Sequence, residues 1–345
     1  MITLLPLSVV TLITLIVYRK YAPSLGLLDK PNERKLHTGN IPLVGGVSIC
    51  TALVLYLALF HLIPHTGIYT LCIIIITVIG ALDDKHDLSF KVRLFVQALL
   101  SLVMMFAADM SLSNLGNMFG FGEVNLFLFG YILTIFAVVG AINAFNMVDG
   151  IDGLVGGLSI VTFALMGFMF SIKGFAQIAL FCFALVACIV PYLLFNLGFF
   201  KEKRKVFMGD AGSMMLGFTV VWVLLLGTQQ AETKAFNPVT ALWLIALPLM
   251  DMAATMIRRM LSGDSPFHPD RKHYHHVLQD YGYSKKITLC IMTAQAAGLG
   301  LVGVVADIQQ LSEPVMFYGF LFAFAIHFGV VLKLQKDKPA IARVY

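Results

Sequence analysis

Charged side chains are scarce in this 345-residue chain. Asp, Glu, Lys and Arg make up 12% of it and hydrophobic residues 59%, whereas an ordinary soluble domain has about 25% charged residues. This deficit excludes a soluble globular domain and indicates an integral membrane protein. Low-complexity tracts and internal repeats are also missing, so the sequence predicts a single domain over residues 1–345. We expect no nucleic-acid partner.

Cysteine offers neither a disulfide framework nor a metal site. The five cysteines all lie inside hydrophobic stretches, and their spacing is not that of metal ligands: Cys50, Cys72, Cys182, Cys188 and Cys290. They are expected to pack as small core or lipid-facing residues. Any chemistry must therefore come from other side chains.

Long apolar stretches are what the chain does have. Eleven are long enough, or nearly so, to cross about 30 Å of hydrocarbon as helices. They cover roughly residues 2–18, 43–63, 68–82, 94–110, 124–142, 154–172, 175–198, 212–228, 237–257, 287–306 and 314–333. Because helices satisfy their own backbone in a bilayer, the sequence predicts an all-α polytopic bundle with about 11 transmembrane helices.

Basic residues fall almost entirely on one side of this predicted bundle. All of the 24 Lys and Arg residues except Lys173 and Lys234 lie in the connections after odd-numbered spans or in the C-terminal tail. Cytoplasmic loops are enriched in Lys and Arg. We therefore expect a periplasmic N-terminus, a cytoplasmic C-terminus, and a functional site on the cytoplasmic loops.

Two adjacent aspartates end the third span. The motif DDKHDL contains Asp83, Asp84 and Asp87. A helix C-terminus carries partial negative charge, so carboxylates there are unfavourable unless a cation compensates them. The alternative is a solvated helix end that nearby bases such as Arg93 neutralise.

The connection between spans 5 and 6 reads NAFNMVDGIDGL and contains no Lys or Arg. Its polar residues follow one another at spacings of three: Asn143, Asn146, Asp149 and Asp152. Residues three apart share a helix face, so we predict one polar stripe where the two spans meet. Either aspartate alone could instead cap span 6.

A basic stretch after span 7 precedes the motif FMGDAGS, which starts at Phe207. Asp210 stands just before span 8, where a helix N-cap is the simplest interpretation. The same helix N-terminus could also offer backbone amides to phosphate oxygens.

The longest inner connection contains the segment PDRKHYHH, with Arg271, His273, His275 and His276 close together. Zinc is a competing interpretation, but no convincing four-ligand set is present. A cluster of imidazole and guanidinium groups suits a pyrophosphate or a sugar better.

Asp251 lies inside span 9, three residues after Pro248. Proline should kink this helix. We interpret Asp251 either as a local partner of Arg258 or as part of a lipid groove at the bend.

Carboxylates that converge from several loops repel one another unless a cation is bound. Magnesium prefers oxygen ligands and commonly uses one or two carboxylates together with substrate phosphates and water. With basic loops nearby, the sequence predicts a Mg²⁺-dependent polyphosphate site, with Mn²⁺ as an alternative ion. Its natural chemistry is phosphoryl transfer, and a membrane-embedded enzyme would use a lipid as one substrate.

Four motifs, in this order on the inner loops, resemble those of the polyprenyl-phosphate N-acetylhexosamine-1-phosphate transferases: DDKHDL, NAFNMVDGIDGL, FMGDAGS and PDRKHYHH. Tyr274 interrupts the three adjacent histidines that the peptidoglycan branch typically has, which favours the N-acetylglucosamine branch. The resemblance implies that undecaprenyl phosphate attacks UDP-N-acetylglucosamine at the inner membrane of a bacterium. The products would be undecaprenyl-pyrophosphoryl-N-acetylglucosamine and UMP, in the first membrane step of O-antigen or enterobacterial common antigen synthesis.

The resemblance also implies roles for single residues. Asp210 is expected to be the main metal ligand, Asp84 to support the metal or pyrophosphate, and Asp83 to deprotonate the lipid phosphate. The nucleotide pocket would be shaped by Asn146, Asp149, Asp152 (toward uracil) and Phe207 (stacking on it). The pyrophosphate and sugar would be held by Arg271, His273, His275 and His276.

Several alternatives stay open at this point. The chain could be a phospho-N-acetylmuramoyl-pentapeptide transferase or use another UDP-N-acetylhexosamine, and Asp83 could act as a covalent nucleophile. A polytopic secondary transporter is a different class, but transporter sites usually lie near the membrane midplane within repeated halves. The oligomeric state is open, with a homodimer among the options, and Asp87 has no predicted role.

Overall fold

A computed structural model of the protein describes residues 3–29, 39–229, 234–265 and 272–337. This part of the chain is nearly all helical. Its thirteen α-helices are α1 (Leu4–Leu25), α2 (Gly45–Leu59), α3 (Thr66–His86), α4 (Phe90–Ala107), α5 (Phe129–Met147), α6 (Leu154–Ile172), α7 (Ala176–Asn196), α8 (Gly209–Thr228), α9 (Pro238–Leu244), α10 (Ala246–Leu261), α11 (Tyr274–Tyr281), α12 (Lys285–Ile308) and α13 (Glu313–Lys336). A short antiparallel pair, β1 (Leu28–Asp29) and β2 (Ile41–Pro42), and a 3-10 turn at Glu202–Arg204 complete the described elements.

The hydropathy prediction of a polytopic helical bundle is confirmed. Within the described ranges, nine helices are long and apolar enough to cross a membrane, and α9 with α10 forms a tenth span if the bent pair counts as one. The predicted second span corresponds to α2, which has only 15 residues. At 1.5 Å per residue it covers about 22 Å, which is short of a full bilayer core.

The ninth predicted span is broken at Ile245. Helices α9 and α10 meet there at an angle of 80°. Pro248 lacks the N–H that would bond to the carbonyl of Leu244, four residues earlier. The hydroxyl of Thr162 donates to that Leu244 carbonyl over 3.1 Å instead. The expected proline kink is therefore present, but the chain bends three residues before the proline.

Helix α8 is the centre of the bundle. Every residue from Ala211 to Thr228 is buried, and α2, α3, α5 and α6 pack around the helix. Small residues permit these close approaches. A Cβ added to Gly80 of α3 would lie 2.4 Å from the Ala211 backbone. This packing fixes the beginning of α8 beside the end of α3, and so brings two of the sequence motifs together.

Candidate active site

Asp83 lies in the last turn of α3 and is a buried carboxylate with two partners. Its Oδ1 accepts a hydrogen bond from the Leu88 amide over 2.8 Å, and its Oδ2 accepts one from Arg93 Nη1 over 2.7 Å. Both contacts stabilise the ionised carboxylate. Arg93 therefore supplies the compensating charge that the negative end of the α3 dipole requires.

Asp84 is compensated by the beginning of another helix. Its Oδ1 accepts from the Asp210 amide over 2.9 Å and its Oδ2 accepts from the Ala211 amide over 3.3 Å. These amides belong to the first turn of α8, whose partial positive charge favours an anion. Asp84 thus caps α8 from a position far away in the sequence.

Gly209 makes this cap sterically feasible. The residue has φ +70°, and an added Cβ would lie 2.3 Å from Asp84 Oδ2. Any side chain here would meet both the strain of the left-handed region and the carboxylate. The glycine of FMGDAGS is therefore required where α3 and α8 meet.

Asp210 is not a helix cap, so the simplest interpretation of its position is wrong. The N-cap residue of α8 is Met208, and no side chain bonds to the helix end from that position. Asp210 Oδ1 instead accepts from Asn146 Nδ2 over 2.7 Å. Its Oδ2 lies 3.5 Å from Arg93 Nη1. Arg93 therefore lies between the carboxylates of Asp83 and Asp210.

Asp87 stands apart from this cluster. It is exposed, has φ 52°, and donates its amide to the Asp83 carbonyl over 2.8 Å. Aspartate is one of the few residues that adopt this left-handed conformation readily. Asp87 is the C-cap residue of α3.

The predicted polar stripe between spans 5 and 6 is wrong. Helix α5 ends at Met147, so the two aspartates lie on a turn and the spacing of three no longer defines one face. Asn143 turns away and donates to Gln97 Oε1 over 2.8 Å, whereas Asn146 reaches Asp210. Neither aspartate caps α6, whose N-cap is Gly153 with no side-chain bond from that position.

The two aspartates of this turn have different environments. Burial raises the pKa of Asp149 well above its usual range, and repulsion by Asp210, Asp84 and Asp152 raises it further. Asp152 forms an ion pair with Lys205 Nζ at 2.9 Å. Burial lowers the pKa of Lys205, but the attraction of Asp152 and Glu202 outweighs this and raises it overall.

Phe207 joins the site through its backbone. Its amide donates to the Pro42 carbonyl over 2.9 Å, and its carbonyl accepts from the Gly45 amide at the same distance. The segment that leads into α8 is therefore fixed against the beginning of α2. The ring of Phe207 is half-buried, and the residue stands three positions before Asp210 in the sequence.

The histidine segment is anchored by Asp251. This buried carboxylate accepts from the Tyr274 amide over 2.8 Å, and its other oxygen lies 3.1 Å from His273 Nδ1. The predicted pairing with Arg258 is wrong, because Arg258 donates to Thr255 over 2.9 Å and to the Lys272 carbonyl. Asp251 and Arg258 thus both hold the chain that enters α11.

His275 connects this segment to the aspartate turn. The side chain is buried, and its ring lies against the Gly150 backbone, where an added Cβ would be 2.0 Å from Nε2. The ring is nearly parallel to that of His273, with centroids 6.1 Å apart, and lies 4.1 Å from the ring of His276. The three histidines therefore form one group beside Gly150, the residue that follows Asp149. Arg271 lies outside the described residues.

The donors in this cluster fit a hard divalent cation. Apart from the Asn146 amide nitrogen, the side-chain atoms that this cluster offers as ligands are oxygens, and they belong to Asp84, Asp149, Asp210 and Asn146. The neighbouring acids destabilise the ionised form of Asp149. No group of three or more His, Cys, Asp or Glu side chains is placed to hold a metal ion within the described ranges. Mg²⁺ commonly takes only one or two carboxylates and completes its shell with phosphates and water, so a nucleotide would have to supply the remaining ligands.

Two residues of this site carry little signal in the sequence. The sequence predicts Arg93 only as a neutralising base and Lys205 only as part of a basic stretch. Arg93 stands ten residues after Asp83, across a helix break, so no regular spacing links the two. Lys205 belonged to a basic stretch that the positive-inside rule already explains.

Comparison with known proteins gives a consistent result. A family model described as Glycosyl transferase family 4 matches residues 66–228. Proteins named undecaprenyl-phosphate alpha-N-acetylglucosaminyl 1-phosphate transferase are similar over nearly the whole chain. The Escherichia coli (strain K12) protein is 46% identical over 343 residues, covering 99% of this chain and 93% of that protein. The Yersinia pestis protein is 49% identical over 315 residues, with 91% and 86% covered. The Haemophilus influenzae protein is 42% identical over 317 residues, with 91% and 89% covered.

Proposed function

Because the chain belongs to the undecaprenyl-phosphate alpha-N-acetylglucosaminyl 1-phosphate transferases of glycosyl transferase family 4, we propose that it transfers N-acetylglucosamine 1-phosphate from UDP-N-acetylglucosamine to undecaprenyl phosphate. The products are undecaprenyl-pyrophosphoryl-N-acetylglucosamine and UMP. This is the first membrane step of a polysaccharide of the O-antigen or enterobacterial common antigen type.

One observation carries this proposal. The end of α3, the beginning of α4, the turn before α6, the beginning of α8 and the histidine segment all meet at one end of the bundle. The contacts that join them run from Asp84 to Asp210 (2.9 Å), from Asn146 to Asp210 (2.7 Å) and from His275 to Gly150. Carboxylates, a guanidinium and imidazoles in one place suit a pyrophosphate with its counter-ion.

The site faces the cytoplasm in the orientation we propose. The N-terminus is periplasmic, the C-terminus is cytoplasmic, and residues 1–345 form one domain in the bacterial inner membrane. Eleven spans result if α2 is counted and α9 with α10 forms a single broken span. The distribution of Lys and Arg supports this orientation, because both exceptions, Lys173 and Lys234, lie in connections at the other end.

Asp210 is the residue best placed to hold Mg²⁺ or Mn²⁺, with Asp84 as its support. Both Asp84 oxygens already bond to α8 amides, so Asp84 fixes the position of Asp210 and offers the ion only its remaining lone pairs. When bound, the ion would neutralise charge on the pyrophosphate and the leaving UMP.

Asp83 acts on the lipid phosphate, and Arg93 controls when it does so. In the structure Arg93 occupies Asp83 Oδ2 at 2.7 Å. A guanidinium also binds phosphate oxygens well. The arriving phosphate draws Arg93 away, and the freed Asp83 carboxylate accepts the phosphate proton. The lipid phosphate oxygen then attacks the sugar-linked phosphorus directly, and the bond from that phosphorus to the bridging oxygen breaks as UMP leaves.

The remaining residues hold the UDP-sugar. Asn146 and Asp149 line the nucleotide pocket, with Asp152 directed toward uracil and Phe207 stacking on it. The histidine segment, with His273, His275 and His276 and with Arg271, binds the pyrophosphate and sugar. The His275 contact with Gly150 couples these two halves of the pocket.

Radiolabelled UDP-N-acetylglucosamine tests the reaction. Purified protein with undecaprenyl phosphate and Mg²⁺ should release UMP and give butanol-extractable label. Asp210→Asn should abolish turnover, whereas Asp87→Asn, at an exposed position just after α3 and apart from the cluster, should leave it nearly unchanged. Substantial Mg²⁺-dependent activity in Asp210→Asn would show that the metal ligand lies elsewhere.

Further assays separate the alternatives. A panel of UDP-sugars would overturn the choice of branch if UDP-N-acetylmuramoyl-pentapeptide were preferred. A phosphorylated protein trapped after mixing with UDP-sugar alone would replace direct attack by a covalent route. Uptake of label into vesicles without labelled lipid would indicate transport.

A further inference from the structure

Gln97 is a buried amide on α4, one turn further into the bundle than Arg93. The two residues are four positions apart and so share a face of the helix. Gln97 Oε1 accepts a hydrogen bond from Asn143 Nδ2 of α5 over 2.8 Å. Burying an amide in apolar surroundings is costly unless it is paired, so this bond favours one arrangement of α4 against α5. Neither Gln97 nor Asn143 has a role in the function proposed above.

The same relation to the active site holds on three helices. Gln97 Nε2 donates to the sulfur of Met214 on α8 over 3.7 Å, so α4, α5 and α8 all meet at this depth. We call Gln97, Asn143 and Met214 the deeper layer. Each of its residues lies about one turn from an active-site residue of the same helix. The pairs are Gln97 with Arg93 on α4, Asn143 with Asn146 on α5, and Met214 with Asp210 on α8.

Apolar packing alone constrains the rotation of α4 only weakly. Its exposed apolar residues recur at spacings of three and four and form one face: Val92, Phe95, Leu99, Leu102 and Phe106. Lipid tails are as apolar as these side chains, so no hydrophobic force turns one apolar face toward the bundle rather than another. The Gln97 amide differs, because rotation of α4 would move it away from its partners into hydrocarbon that offers none.

The rotation of α4 also decides where the Arg93 guanidinium lies. Arg93 belongs to the first turn of α4, and its Nη1 lies 2.7 Å from Asp83 Oδ2 and 3.5 Å from Asp210 Oδ2. At the rim of a helix, about 6 Å from its axis, a rotation of about 20° moves an atom by about 2 Å. A shift of this size breaks a hydrogen bond. The contacts of Arg93 therefore depend on what fixes α4.

We propose that Gln97 and Asn143 form a positioning pair that sets the rotation of α4. By this means the pair holds Arg93 at a point between the carboxylates of Asp83 and Asp210. The pair acts from one turn below the site and has no contact with either substrate. Its effect on the reaction rests on the proposed function, in which the lipid phosphate draws Arg93 away from Asp83, whereas its effect on the position of Arg93 does not.

Steady-state kinetics of Gln97→Leu tests the proposal. Leucine is apolar and similar in size, so the variant removes the bond to Asn143 without leaving an unpaired group on α4. Since a displaced catalytic group can cost about 100-fold, kcat/KM for undecaprenyl phosphate should fall about 10- to 100-fold. The KM for UDP-N-acetylglucosamine should stay nearly unchanged, because α5 keeps its packing against α8.

Ser101→Ala is the matched control. Ser101 is buried one turn further along α4, and its hydroxyl donates to the Gln97 carbonyl of the same helix over 2.8 Å. This bond does not join α4 to α5, so kinetics should stay unchanged. Equal effects of Ser101→Ala and Gln97→Leu would overturn the proposal.

Two combinations of variants show whether the pair acts through Arg93. Adding Gln97→Leu to Arg93→Ala should cause no further loss of residual activity, because the group that the pair positions is already gone; losses that multiply would overturn the proposal. The exchange Gln97→Asn/Asn143→Gln keeps the combined length of the two side chains. It should restore activity that Gln97→Asn alone loses, and it serves equally if Gln97→Leu does not fold. No recovery would also overturn the proposal.

A structure of the Gln97→Leu protein without substrates separates this inference from the proposed function. The contact of 2.7 Å between Arg93 and Asp83 should be lost, whether or not the protein is active. An intact contact would overturn the positioning role. A lost contact with unchanged turnover of undecaprenyl phosphate would support the positioning role and overturn the part in the reaction that is proposed for Arg93.

Discussion

Asp84→Asn should loosen the beginning of α8. The carboxylate accepts two amides of the first turn, from Asp210 and Ala211. Asparagine keeps one acceptor oxygen, loses the charge, and turns its NH₂ group toward the second amide. Losing one hydrogen bond to a charged group removes about 1.5–3 kcal/mol, and losing the anion at a helix N-terminus removes about 0.5–1 kcal/mol. The local stability of this turn should therefore fall by about 2–4 kcal/mol.

Hydrogen exchange measures this loss directly. Since about 1.4 kcal/mol corresponds to a factor of ten, amides at the beginning of α8 should exchange about 30- to 700-fold faster in Asp84→Asn. Asp87→Asn is the matched control at the end of the same helix, because Asp87 is exposed and donates its amide to the Asp83 carbonyl of α3 itself. The experiment is done without metal or substrate, so it is independent of catalysis. Unchanged exchange at Asp210 and Ala211 would refute the assignment of Asp84 as the cap of α8.

Three further predictions concern the nucleotide side of the site. Gly150→Ala should displace His275 and raise the KM for UDP-N-acetylglucosamine about tenfold or more, since a misplaced binding group can cost this much; steady-state kinetics checks it. Asp251→Asn should weaken the anchor of the histidine segment by about 1–3 kcal/mol. The KM for UDP-N-acetylglucosamine should therefore rise more than the KM for undecaprenyl phosphate. Burial and neighbouring acids raise the pKa of Asp149. During acidification, activity should therefore fall at a higher pH than it would if Asp149 had the pKa of an ordinary carboxylate. Asp152→Asn removes one of those acids and should move this fall to lower pH.

Matched variants make these outcomes decisive. Gly67→Ala adds a methyl group to a helix at a position with no neighbour within 4 Å, so its kinetics should stay unchanged. Equal effects of Gly67→Ala and Gly150→Ala would contradict the steric argument. For Asp251→Asn, an equal rise of both KM values would point to general destabilisation. If Asp152→Asn leaves the dependence of activity on pH unchanged, Asp149 does not determine the fall in activity at low pH.

Much of the fold could be predicted because the bilayer imposes a strong pattern on sequence. Hydrocarbon requires apolar helices of a minimum length, so hydropathy located the helices without knowledge of their partners. The connectivity of such helices also predicts which motifs share an end of the bundle. This is why Asp83, Asp210 and the histidine segment could be assigned to one site.

The contacts within the site could not be predicted, because they join residues that are distant in sequence. Asp84 bonds to the amide of Asp210, and Asp251 bonds to the segment at His273. Local patterns suggested an N-cap for Asp210, since they contain no information about a carboxylate arriving from another helix. The polar stripe failed for a related reason, because its spacing assumed a helix that in fact ends at Met147.

The central position of α8 has a consequence for biosynthesis. Helices α2, α3, α5 and α6, which surround it, all precede it in the chain. They therefore leave the ribosome before α8 does. The first turn of α8 can meet the Asp84 carboxylate of α3 only once α8 itself has entered the bilayer. Completion of the carboxylate cluster should thus coincide with the burial of α8 during membrane insertion, whereas the histidine segment follows α8 in the chain and joins the candidate site later.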